Sequence, residues 1–149
     1  MTATTVAGDR GRTRAGRGTL WRAGLAASGV AALVNGAVFA LAVAAGLFPS
    51  LTFTADAGAQ MSIEPVLLVS VVATLTGVGA FALLRRMVAK PVPVFLWIAA
   101  GVLLISFAAP FAIPGTAPAQ AVVLNLLHLV VAAVAVGVVL RNGSVTSPV

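Results

Sequence analysis

The segment PVLLVSVVATLTGVGAFALLRR, residues 65–86, decides the fold. It carries no charge until the closing pair Arg85 and Arg86, and its apolar residues lack the two-residue alternation of a half-buried strand. A helix rises about 1.5 Å per residue, so the run from Val66 to Leu84 approaches the roughly 30 Å of a bilayer's hydrocarbon core. Pro65 suits the first turn of that helix, where its missing N–H would have no partner anyway. The two arginines then stop the run at a polar boundary. Whether such a rod lies in a large soluble core or in lipid is settled by the rest of the chain.

Of 149 residues, 60% are apolar and 8% charged. A soluble domain carries about 25% charged residues, whereas lipid tails accept apolar side chains on the outside of a bundle. Three further runs resemble the first in length and apolar content: residues 23–47, entered through Trp21 and Arg22 and left just before Pro49; residues 94–111, opening after KPVP and closing with Pro110 and Pro114; and residues 119–140, opening after PGTAP and ending at Arg141, Asn142 and Gly143. Each end has a stop signal of the expected kind. The spacing therefore predicts an all-α, integral membrane four-helix bundle with helices over about 23–47, 66–84, 94–111 and 119–140. Connections of roughly 18, 9 and 8 residues make consecutive helices antiparallel neighbours, an up-down-up-down arrangement. A transmembrane barrel is set aside because no segment alternates apolar and polar residues. The bundle occupies residues 21–141, between a flexible basic tail over residues 1–20 and a short C-terminal tail over 142–149. The first span is too long for the apolar core of a cleaved signal and is expected to stay as an anchor.

Charge placement orients the bundle. Arg10, Arg12, Arg14, Arg17 and Arg22 precede the first span, Arg85, Arg86 and Lys90 lie between the second and third, and Arg141 follows the fourth. All nine basic residues of the chain fall on one side, and the opposite connections carry Asp56 and Glu64 instead. The positive-inside rule places that basic side, with both termini, in the cytoplasm. Trp21 and Trp97 fall at the same interface, where indole rings tend to settle. The five arginines of the tail also suit the anionic lipids of an inner leaflet, each contributing about 1 kcal/mol. Nucleic acid is not expected as a partner, because neither interleaved aromatics nor a folded basic module accompanies the charges.

Chemistry is thinly represented. The chain has no cysteine, which excludes disulfides, thiolate catalysis and cysteine-ligated metals. Motifs of the HExxH, GxSxG and P-loop kinds are missing, and the glycines of GVGAF lie inside a helix with no preceding strand. One histidine and three acids do not assemble a metal site, so neither metal nor cofactor nor enzymatic activity is expected.

Two polar or small-residue patterns remain. Along the first span Gly24, Ser28, Ala32, Gly36, Ala40 and Ala44 recur every four residues, a ridge that lets another helix approach closely, either within the bundle or across a homo-oligomer seam. In the fourth span Asn125 and His128 are three apart and share a face with Ala121, Ala132 and Ala135. Counting from the span ends puts His128 and Asn35 near mid-depth, Thr74 at about the same level, and Ser106 level with Asn125. Asn35, Thr74, Ser106, Asn125 and His128 are therefore expected to form one buried polar layer, serving as glue between helices or lining a ligand pocket. An imidazolium at that depth is disfavoured by desolvation, and no carboxylate lies within the spans to hold it, which argues against a proton pump. Ser70, Thr74 and Gly77 share a face of the second span and are read as packing residues.

The basic tail leading into LWRAGLAASGVAALVNGAVFALAVAAGL, together with PVLLVSVVATLTGVGAFALLRR, FLWIAAGVLLISFAAPF and LNLLHLVVAAVAV, resembles the DUF6069 family of small four-helix bacterial membrane proteins over about residues 20–141. The resemblance implies a four-span fold with recurring polar positions at Asn35 and His128, and it implies no activity. The expected role is that of a structural or accessory membrane protein, acting through a partner or as an oligomer. The alternative is a small transporter or a ligand- or lipid-binding bundle that uses the Asn and His layer.

Overall fold

A computed structural model describes residues 7–48, 62–112 and 116–143, with the backbone alone for residues 7–17 and 143. Residues 1–6 of the basic tail, the connection holding Pro49 and Asp56, Pro114, and the tail beyond residue 143 lie outside the described residues, as do the side chains of Arg10, Arg12, Arg14 and Arg17. Four α-helices follow in order: α1 Ala7–Ala44, α2 Ile63–Met87, α3 Pro91–Ala108, extended by a 3-10 turn over Ala109–Ala112, and α4 Pro118–Gly143. No strand occurs among the described residues. The spans Gly18–Ala44, Ile63–Met87, Pro91–Ala112 and Pro118–Asn142 are each long and apolar enough to cross a membrane. The chain is an all-α, multi-pass membrane protein.

The boundaries follow local chemistry. The first span ends three residues sooner than the apolar run suggests, because Gly46 takes a positive φ of 74° that side-chain-bearing residues rarely adopt. Its N–H donates to the Val43 carbonyl and that of Leu47 to Ala42, the two reversed bonds of a Schellman cap. The turn sends Phe48 back onto Phe39, with ring centroids 5.3 Å apart. At its other end, α1 begins at Ala7, upstream of residue 23, so the backbone of much of the segment read from composition as flexible tail continues the helix. The physical reason is cooperativity: once a long apolar helix is nucleated, each added residue gains a hydrogen bond at little cost. Pro91 opens α3 in the first helical positions, and Arg85 and Arg86 fall in the last turn of α2, where cations complement the helix dipole.

Two apolar clusters hold the bundle. One joins Phe39, Ala42 and Phe48 to Val66, Leu124 and Leu127, and the other joins Leu20, Val78, Phe81, Phe95, Val138 and Val139 at the opposite end. In the second, Phe81 and Phe95 meet edge to face at 5.6 Å. Helix α1 packs on α2 and α4, α3 packs on α2 and α4, and the backbones of α1 and α3 do not approach each other closely. Large apolar side chains such as Leu33, Leu41, Trp97, Leu104 and Ile105 stand on the outside, more than two-thirds exposed. In water such a surface would drive aggregation, and in a bilayer it is the solvated face.

The ridge on α1 is only partly the packing face. Gly24, Ser28 and Gly36 are buried, Ala32 is half-buried and Ala40 and Ala44 are exposed. Steps of four residues advance about 400° and so drift around the helix. The buried line instead runs through Leu20, Gly24, Ser28, Ala31, Asn35, Phe39 and Ala42, in steps of four, four and three. A Cβ added at Gly24 would lie 3.0 Å from Val78 Cγ1, and one at Gly36 would lie 2.9 Å from Leu67 Cδ2. Both glycines thus bring α1 against α2 within the chain.

Candidate functional site

Between the two apolar clusters lies a polar junction. Asn35 is buried on α1, and its Nδ2 donates to Ser70 Oγ on α2 at 2.8 Å and to the Leu127 carbonyl on α4 at 3.2 Å. Ser70 Oγ donates its own proton to the Val66 carbonyl at 2.7 Å, and Thr74 Oγ1 donates to the Ser70 carbonyl at 2.8 Å. One amide therefore ties three helices together at mid-depth, and hydroxyls bonded one turn back keep that surface low in unmet polarity. Asn35 Oδ1 is buried with no partner. The amide orientation is fixed by its surroundings, since an oxygen turned toward the Leu127 carbonyl would set two acceptors against each other.

The five-residue layer expected from depth alone is divided. Asn35 and Thr74 belong to the junction. Asn125 and His128 stand apart from it on α4, and Ser106, half-buried on α3, is hydrogen-bonded to neither group. The reason is azimuth. At 100° per residue, Asn125 lies about 160° around α4 from Leu127, the residue whose carbonyl Asn35 engages. Equal depth did not bring these side chains to the same side of the helix. His128 Nδ1 is 2.7 Å from the Leu124 carbonyl, which can only accept, so Nδ1 carries the proton of this bond. Asn125 Oδ1 is buried without a partner.

Two residues with structural roles were not part of the expected layer. Ser70, read as a packing residue, is the hydrogen-bond partner of Asn35, and its signal was its place one turn before Thr74 on a shared face. Gln120 is buried at the start of α4, where Oε1 accepts from the Ala117 N–H at 2.8 Å and Nε2 donates to the Leu47 carbonyl at 2.6 Å. It latches α4 to the cap of α1, and no sequence pattern marks it.

The remaining charges gather at span ends. Arg22 on α1, Arg85 and Arg86 on α2, Lys90 before α3 and Arg141 on α4 lie toward the Phe81–Phe95 end, and Glu64 opens α2 at the other. The Arg85 guanidinium stands 6.0 Å from the Phe81 ring centroid, and Trp21 would touch a Cβ placed at Gly79. Among the described residues no three His, Asp or Glu side chains converge as metal ligands would. The arrangement can fix helices by hydrogen bonding.

No curated protein and no solved structure matches the chain. Residues 15–144 match the model of a family of unknown function, DUF6069, and with all but its two ends covered the chain belongs to that family.

Proposed function

We propose that this chain is a non-enzymatic structural or accessory protein of the bacterial cell membrane, acting through a partner within the bilayer. The Asn35 junction carries the reading. A polar group that spends both its N–H donors on Ser70 and Leu127 of its own chain fixes helix positions and leaves no donor for a substrate. A proton route would need a series of ionisable side chains across the spans, and His128 is the single titratable residue at mid-depth among those described.

The test is a double-mutant cycle in mild detergent with Asn35→Ala and Ser70→Ala. Each single variant unfolds at a lower concentration of denaturing detergent, and the pair shows a coupling of about 0.6–1.7 kcal/mol. Unchanged stability in Asn35→Ala would remove the support for a structural junction.

The orientation proposed with this role has the termini in the cytoplasm. It is supported by the basic end at Arg22, Arg85, Arg86, Lys90 and Arg141, and by Glu64 at the opposite end. Reporter fusions at Ala57 and Val149 check it: a reporter active only outside the cytoplasm works at Ala57 and fails at Val149. Activity at both positions, or at Val149 alone, contradicts the threading. Anionic lipids are the partner proposed for the arginine-rich segment before Trp21.

A further inference from the structure

We infer that the basic end of the α1–α2 seam is a binding site for a phospholipid carrying two phosphates on one headgroup, held by Arg85 and Arg86 of α2 together with Arg14 and Arg17 of α1. The inference rests on the reading that anionic lipids meet the arginine-rich segment, and sharpens it from a general attraction to a place. Two contacts set the register. A Cβ added at Gly24 would lie 3.0 Å from Val78 Cγ1, and Trp21 Cη2 lies 3.7 Å from the Cβ position of Gly79. Seven residues of helix make almost two whole turns and about 10 Å of rise, so a step of seven returns to the same face. Counting seven toward the basic end from Gly24 and Val78 arrives at Arg17 on α1 and Arg85 on α2, and from Trp21 and Gly79 at Arg14 and Arg86. The helices run antiparallel, with Gly24 against Val78 and Gly36 against Leu67, so both counts lead to the same end of the seam. Four arginine positions cap it, two from each helix.

Charge is unbalanced at that end. Glu64, the only acid whose side chain is described, opens α2 about 30 Å from Arg85. Asp9 precedes Arg17 on α1 by about 12 Å along the axis, and Asp56 follows the other end of α1 in sequence. Like charges gathered on two packed helices repel, and an anion set among them turns the repulsion into attraction. Guanidinium forks match phosphate oxygens in pairs, and a phosphodiester brings one charge. Two phosphodiesters on one molecule bring two, and once the first is bound the second binds at a high effective concentration. The surroundings select a lipid over a soluble anion. Arg85 is half-buried, 6.0 Å from the Phe81 ring centroid, and its neighbour Arg86 is exposed. Toward the bilayer centre the same flank is apolar and open: Leu25, one turn from Trp21, is 60% exposed, and Val72, two turns from Gly79, is 54% exposed. A lipid with its phosphates at the arginines lays its acyl chains on this face.

The experiment uses the full chain with Trp97→Phe, which leaves Trp21 as the single tryptophan, in phosphatidylcholine nanodiscs. Tetraoleoylcardiolipin is compared with dioleoylphosphatidylglycerol at twice its mole fraction, so that phosphate and charge are matched. Cardiolipin is expected to raise the melting temperature and shift Trp21 emission at about tenfold lower phosphate than phosphatidylglycerol. Arg86→Gln and Arg17→Gln are each expected to weaken the cardiolipin response about tenfold, and Arg141→Gln, the same change of charge on α4, by less than about twofold. In phosphatidylcholine alone Arg86→Gln is expected to keep or raise the melting temperature, because it relieves repulsion across the seam. Equal responses to the two lipids at matched charge, or equal losses in Arg86→Gln and Arg141→Gln, overturn the site and leave the general attraction of anionic lipid standing. No response to either lipid overturns both. A response to inorganic pyrophosphate in phosphatidylcholine nanodiscs equal to that of cardiolipin makes the anion a soluble one and overturns the lipid. A lower melting temperature of Arg86→Gln in phosphatidylcholine alone makes Arg86 a structural contact and overturns the proposal equally.

Discussion

Phe81→Ala is expected to lose about 2–4 kcal/mol of bundle stability. Phe81 is fully buried and meets Phe95 edge to face, so truncation leaves a void at the meeting point of α2, α3 and the termini of α1 and α4. In water, Phe→Ala costs about 3–5 kcal/mol, part of it the transfer of apolar surface. Lipid solvates a phenyl ring as readily as the core does, so here the transfer share falls away and the cavity and the ring pair remain. Because Phe95 is the only buried residue of α3, losing its partner should release α3 before the rest. Unfolding in a denaturing detergent, followed by helicity and, with Trp21→Phe in the background, by Trp97 emission, reads both effects. An early Trp97 transition is expected, and a single transition at the unaltered midpoint would show that the ring contact contributes little.

Gly24→Leu and Gly36→Ala should diverge sharply, although both glycines lie on the same ridge. At Gly24 a Cβ would meet Val78 Cγ1 at 3.0 Å and Cγ2 at 3.2 Å. Val78 is fully buried, and its β-branched side chain has one strongly preferred rotamer in a helix, so α1 and α2 must part to admit any side chain. Overpacking of this kind costs about 1–3 kcal/mol for a small addition, and a whole isobutyl group should exceed that range. At Gly36 the 2.9 Å neighbour is the tip of Leu67, a flexible and half-buried side chain that can swing aside. Gly36→Ala should therefore change stability by less than about 0.5 kcal/mol. Equal losses at the two positions would mean that α1 and α2 approach each other differently from the contacts at Val78 and Leu67.

The depth of each polar residue was legible in the chain, and its direction was not. Counting from the ends of the first span puts Asn35 near mid-depth, and the structure finds it buried between two apolar clusters. Ser70 went unrecognised as its partner because a hydroxyl in an apolar helix has a ready local acceptor one turn back and gives no sign of also receiving a bond from another helix. Gln120 was invisible for a related reason: its partner at Leu47 is brought near only when α1 caps and α4 begins beside it.

By itself the sequence determined four apolar helices, their order and approximate ends, the segregation of basic residues and the membership of the family. These depend on the length of apolar runs and on where charges stop them, and both are properties of the chain read along one dimension. Tertiary structure decided which polar groups meet. Apolar runs this uniform in Ala, Val and Leu carry little information about rotation, and lipid exerts almost no preference among greasy faces. The azimuth of each helix is therefore set by shape, through the close approach at Gly24 and the seating of Phe81 on Phe95, and that rotation put Asn35 against Ser70 while leaving Asn125 and His128 outside the junction.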